Sequence, residues 1–138
     1  MHILKEGATM KAFLIDSKTD EFKAVDIEPT LKEYYRMLGC DCIDITVRRI
    51  GGVPYNIIVD DEGLLKPNRV SACCVSPKKA NGTFEVLAGN LLIFGIDPDN
   101  YEHGNKSLDA DDVENIKMSI GRFVFEDGSV HPVLAYSL

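Results

Sequence analysis

The stretch from Val53 to Val75, VPYNIIVDDEGLLKPNRVSACCV, restricts the folds open to this chain more than any other. Tyr55 to Val59 is short and rich in β-branched residues. Gly51-Gly52 precedes it and Asp60-Asp61-Glu62-Gly63 follows, which is strand chemistry between turns. Gly63 can take positive φ at no steric cost, and Asp60 or Asp61 can bond the backbone just downstream. Pro67 prevents a helix from running through Lys66, so the chain steps aside at Asn68-Arg69 before a second buried run, Val70 to Val75. Apolar runs separated by turn residues, with no helical period between them, argue against a mainly helical bundle.

The flanking segments fit the same plan. Met10 to Asp16 and Glu21 to Ile27, around the polar turn Ser17 to Asp20, form a hairpin with Phe13, Ile15, Val25 and Ile27 available to one face. Thr30-Leu31-Lys32-Glu33 is a capping box, after which Leu31, Tyr34, Tyr35 and Leu38 line one helix face and Gly39 supplies the exit. From Cys42 to Ile50, Ile43, Ile45 and Val47 are expected to be buried while Asp44, Thr46 and Arg48 face water. Thr83 to Leu87 reads as a strand. Leu91 to Gly95, apolar on both faces, suits a central one. A second helix starts near Ser107 or Asp109, aligns Val113, Ile116 and Ile120, and ends at Gly121. Arg122 to Phe125 and Val130 to Tyr136 form a last hairpin, with Pro132 confining its second strand to an edge or a bulge.

The expected fold is a single α+β domain: a largely antiparallel sheet of about six to eight strands, open or curling partly into a barrel, with two short helices. Residues 1–9 read as a leader, 10–121 as the core domain, and 122–138 as a C-terminal hairpin packed on it.

A chain of 138 residues makes one domain that needs neither disulfides nor metal to form a core. A net charge of −7 disfavours direct nucleic-acid binding, which relies on clustered Lys and Arg. From Asp97 to Glu114 seven acidic residues face one lysine, Lys106. No run approaches a membrane span and no secretory signal is recognisable, so the cytoplasm is the expected compartment. Cys40, Cys42, Cys73 and Cys74 lack the C-x₂-C spacing of a zinc site and read as thiols; a joint site of all four is the metal-binding alternative.

Four groups of residues are candidates for a site. Asn68 and Arg69, at the bend after Pro67, with Tyr55 and Asp61 nearby in sequence, could grip a carboxylate or phosphate; the structural alternative pairs Arg69 with Asp60 or Glu62. Asp60, Asp61 and Glu62 could hold a magnesium ion or simply form a solvated tip. Asp97, Asp99, Glu102, Asp109, Asp111, Asp112 and Glu114 could imitate nucleic-acid phosphates, although acidic first turns are also ordinary helix starts. Asp97 to Glu102 is no calcium loop, since Tyr101 stands where an oxygen ligand is needed; His103 has no base or nucleophile at a useful spacing. No catalytic residue, metal or cofactor is assigned.

The opening strand MKAFLID, the run VDDEGLLKPNRVSA, Gly89-Asn90 ahead of Leu91 to Gly95, and the serine-led acidic helix together resemble domain-of-unknown-function family 3846, over about Met10 to Ile120. That resemblance implies a small protein of gut Firmicutes and their phages, plasmids and conjugative elements, with an accessory role and no established activity. The expected function is therefore non-enzymatic, through protein-protein contacts with an unidentified partner and with homodimerisation open. A small-ligand or nucleotide-binding domain using Asn68 and Arg69 is the alternative.

Overall fold

A computed structural model describes residues 8–74, 85–99 and 104–138. Strands β1 (Met10–Asp16) and β2 (Glu21–Ile27) form a hairpin, followed by helix α1 (Leu31–Leu38) and a second hairpin of β3 (Ile43–Ile50) and β4 (Val53–Asp60). A short 3₁₀ turn at Gly63–Leu65 leads into β5 (Val70–Cys74), and β6 (Val86–Ala88), β7 (Leu91–Ile96) and β8 (Asn105–Lys106) follow. Helix α2 (Ala110–Met118) precedes β9 (Ile120–Val124) and β10 (Val130–Tyr136). The α+β expectation holds, but the strands divide between two sheets. One runs β2-β1-β7-β4-β3 with β8 beside β7, the other β6-β5-β10-β9, and neither closes into a barrel. Among the described strands only the β5–β10 pairing is parallel. Reciprocal main-chain bonds of 2.8 Å between Arg49 and Ser137 join the sheets at one corner.

Strand β7 holds the middle of the first sheet because it is apolar on both faces. Leu91 and Ile93 pack with Phe13, Ile15 and Ile57 against the second sheet and Ile116 of α2. Leu92 and Phe94 pack with Ala12, Leu14 and Ile58 against Tyr34 and Leu38 of α1. The register explains the division, since Phe13 and Ile57 lie opposite Ile93, and Leu14 and Ile58 opposite Leu92. Three layers result, with the first sheet in the middle.

The same register corrects several sequence expectations. Val25 and Ile27 lie opposite Ala12 and Met10, so they face α1, while Phe13 and Ile15 face the other sheet. Ile45 and Val47 are 45% and 47% exposed. They lie on the α1 side of β3, but α1 has eight residues and covers β7 and β4, stopping short of this edge strand. Ile50 of β3 is the residue that enters the inter-sheet core. Thr30 caps α1 as expected, accepting from the Glu33 amide at 3.3 Å. The reciprocal half of the box is missing, because Thr30 N–H bonds the Glu28 carbonyl and the Glu33 carboxylate turns to Arg36. Leu31 stays 58% exposed. Helix α2 closes at Met118, before Gly121, and its box is complete: Asp109 caps the Asp112 amide and Asp112 returns the bond. Pro132 sits in β10, an inner strand. It is tolerated there because β5 joins β10 only from Leu134 onward, leaving no β5 partner beside Pro132.

Gly63 is not at positive φ. It is required for space, since a Cβ there would lie 2.8 Å from the Ala88 carbonyl oxygen, a backbone atom that cannot swing aside. Gly63→Ala is accordingly expected to lose about 1–3 kcal/mol by overpacking, read as a lower urea midpoint at unchanged slope. An unchanged midpoint would show that the 3₁₀ turn does not bear on β6.

Candidate functional site

The residues singled out in the sequence do not converge. Tyr55 is buried on β4, where its hydroxyl donates to Asp112 at 2.9 Å and accepts from Asn115 at 3.0 Å. Burial chiefly raises its pKa to about 12, the Asp112 carboxylate adds to the rise, and the Asn115 bond opposes it. Asn68 donates to the Gly63 carbonyl at 3.1 Å and lines a cavity of about 250 Å³ with Lys18, Asp60, Lys66 and Asn90. Most of these polar groups already have partners: Lys66 binds Asp60 at 2.7 Å, and Asn90 bonds Ser17 N–H and the Met37 carbonyl. Arg69 does not line that cavity. Its guanidinium pairs with Asp20, rather than Asp60 or Glu62, and its buried Nε has no acceptor among the described residues.

Asp60, Asp61 and Glu62 also separate. Asp60 is buried, holding Lys66 and accepting from Glu62 N–H at 2.9 Å, whereas Asp61 and Glu62 are exposed. In the acidic window, Asp109 and Asp112 are engaged in the α2 cap, and Asp97 accepts from Asp99 N–H at 2.9 Å. Asp111 and Glu114 point to solvent; Tyr101, Glu102 and His103 lie outside the described residues. Cys40 and Cys42 flank the exit of α1 and Cys73 and Cys74 lie on β5, all as thiols. Among the described residues no three His, Cys, Asp or Glu side chains gather as metal ligands.

Two features had not been read from the sequence. The first is a clasp between hairpin tips. His131 Nδ1 lies 2.9 Å from Asp20, and its Nε2 lies 2.9 Å from Ser129 Oγ. Serine, histidine and aspartate in that order are the parts of a nucleophile, base and orienting acid. Here, however, Ser129 Oγ also lies 2.5 Å from the Asp127 carboxylate, which competes with Nε2 for the single hydroxyl proton. Ser129 also lines none of the described cavities. The His131 hydrogen bond is the main reason the Asp20 carboxyl is held below the usual carboxylate range; burial opposes it and Arg69 assists. The group ties the β1–β2 turn to Arg69 and to the β9–β10 hairpin. Residues 111 positions apart meet there, so no local spacing could have revealed it.

The second feature is an apolar groove of about 520 Å³ across the outer face of the second sheet, lined by Val70, Cys73, Val86, Phe123, Phe125 and Val133, with Glu126 beside them. Its position follows from strand alternation. Ala72, Cys74, Leu134 and Tyr136 face the core, so Cys73 and Val133 turn outward. Burial, followed by the neighbouring Cys74, raises the Cys73 thiol pKa, which works against thiolate chemistry in the groove. The one available sequence signal was Phe123-Val124-Phe125, which places two aromatics on the same face of a strand that ends a sheet.

A family model for a domain of unknown function (DUF3846) matches residues 10–120. The chain belongs to that family. No curated protein and no solved structure matches the chain. The DUF3846 match covers the first sheet, both helices, β5 and β6, and stops at the first residue of β9. Phe123, Phe125 and Val133 of the groove therefore lie beyond it. Among the described residues no helix is long and apolar enough to cross a membrane.

Proposed function

We propose that this protein is a non-enzymatic accessory factor of a mobile element or its bacterial host, working in the cytoplasm by docking another protein on the outer face of its second sheet. The supporting observation is the groove. Its volume lies within the range of binding sites, roughly 300–1,000 Å³, but its lining is almost wholly apolar and lacks the convergent polar groups that fix a small ligand. Apolar side chains of a partner suit it, with Phe123 as the aromatic anchor of the contact. The ligand-binding alternative at Asn68 and Arg69 has less support, because Gly63 and Asp20 already engage those side chains. The acidic-mimic form of the proposal is likewise weaker, since Asp109 and Asp112 are turned into the α2 cap.

The test compares affinity purification from host cells of the tagged wild type, Phe123→Ser and Ile45→Ser. Ile45 is equally exposed but lies on the first sheet. A partner recovered stoichiometrically with wild type and Ile45→Ser is expected to bind Phe123→Ser roughly tenfold less, as loss of an interface aromatic typically costs more than 1 kcal/mol. Undiminished recovery with Phe123→Ser, or saturable turnover of a small molecule by the pure protein, would remove the reading.

A further inference from the structure

Strand β9 ends the second sheet: β10 covers one side, and among the described residues no strand pairs with the other. The hydrogen-bond pattern shows which groups face that open side. Phe125 N–H bonds the Ser129 carbonyl and Ala135 N–H bonds the Ser119 carbonyl, each at 2.8 Å, while Phe123 lies opposite His131 and Gly121 opposite Val133. Antiparallel bonding alternates along a strand, so Ser119, Gly121, Phe123 and Phe125 direct their main chain toward β10. Arg122 and Val124 therefore present N–H and C=O outward.

Exposed sheet edges normally carry a safeguard such as lysine, proline, a bulge or short length. The other described edges fit that rule: β2 exposes Glu21, Lys23 and Asp26, β3 exposes Asp44 and Arg49, and β6 is three residues long. Strand β9 has no proline, lysine or bulge, and Arg122 is its one exposed charge. Phe123 and Val124 on it are 42% and 74% exposed.

The exposed sequence is also complementary to itself. Around Val124, the last residue of β9, an antiparallel two-fold sets Val124 against its own copy and Phe123 against Phe125 just past the strand, and brings Arg122 near Glu126, the first residue of the β9–β10 turn. The outward N–H and C=O of the two Val124 residues meet as a reciprocal hydrogen-bonded pair, and the aromatics face each other across the strands. Centring the pair on Phe123 instead leaves Arg122 against Val124 with its charge unmatched. Centring it on Arg122 opposes two like charges.

We infer that two copies of this chain pair antiparallel along β9 about Val124, joining two four-stranded sheets into one of eight strands. The inference rests on the reading of this sheet as a contact surface and names a second copy as the occupant of its edge. The groove, which shares Phe123 and Val124 with that strand, then runs up to the two-fold.

A charge swap tests it on the full chain by sedimentation equilibrium at low salt. Wild type is expected to be a dimer. Arg122→Glu and Glu126→Arg are each expected to raise the dimer dissociation constant about tenfold or more by opposing like charges, and the double variant Arg122→Glu/Glu126→Arg to restore it to within about threefold. Both side chains are exposed, so the swaps leave the fold intact. Val124→Pro removes an outward N–H without touching the β10 ladder, and is expected to be a folded monomer by circular dichroism. A wild type that is monomeric throughout, a dimer indifferent to the single reversals, or a double variant that does not recover would each overturn the pairing. Recovery of a protein partner by Arg122→Glu but not by Phe123→Ser would separate failure of the pairing from failure of the docking proposal.

Discussion

Cut after Ile120, where the family match stops, the chain is expected to lose its cooperative fold altogether. Strand β10 lies between β5 and β9 and contributes Val133, Leu134 and Tyr136, each no more than 2% exposed. Without it, β5 and β6 remain as a two-stranded ribbon, which is marginal alone. Phe13, Ile15, Ile57 and Leu91 then face water where Leu134 and Tyr136 had covered them. Three large buried side chains at about 1.5–3 kcal/mol each are comparable with the whole stability of a small domain, about 5–15 kcal/mol. Removing Tyr136 also strips a hydroxyl from the Glu85 carboxylate, which it reaches at 3.0 Å beside Arg48 at 2.6 Å. A urea titration followed by circular dichroism checks this. Leu134→Ala in the full chain is the graded version and is expected to cost about 2–5 kcal/mol. A sigmoidal transition from the truncated chain would show that the family-matched part folds alone.

Alkaline pH is expected to unfold the protein before its surface charge alone would. Tyr55, with its pKa raised to about 12, and Tyr136, raised still further by burial first and then by its bond to Glu85, are both held neutral. A raised folded value means stability that is complete below the unfolded tyrosine pKa of about 10 and is lost as pH climbs through the folded value. For Tyr55 the window is pH 10 to 12, and the loss is on the order of 3 kcal/mol. Tyr55→Phe should therefore be less stable than wild type at pH 8, having lost its Asp112 and Asn115 bonds, yet fall less steeply from pH 10 to 12. Urea midpoints at pH 8, 10 and 11.5 measure both slopes. Parallel curves would mean that Tyr55 ionises without cost where it sits.

Much of the fold was legible because it is written in local signals. Leu91 to Gly95, apolar on both faces, suited an inner strand, and Gly51-Gly52, at φ 57° and 82°, suited the β3–β4 turn. Face assignments failed where a distant element decides burial. Ile45 and Val47 alternate as core residues should, yet eight residues of α1 end short of them. Pro132 was misplaced because its rule concerns pairing at one residue, and β5 arrives only two residues later. The candidate site was barely legible. The groove needs four strands from separate parts of the chain, and the Asp20–His131–Ser129 clasp brings together two hairpin tips. In a sheet protein, sequence alternation says which residues share a face but not which face is left uncovered.

That the outer face of the second sheet is where this protein binds its partner can be tested most directly by photo-crosslinking in host cells. A photoreactive residue is placed at Phe123 in the groove or at Ile45 on the first sheet. Both positions are exposed to a similar degree, 42% and 45%, so reactivity with bulk solvent is matched. The account predicts a discrete adduct to a protein other than a second copy of this chain from position 123 and none from position 45. An adduct from position 45 alone, or only self-adducts from position 123, would contradict it.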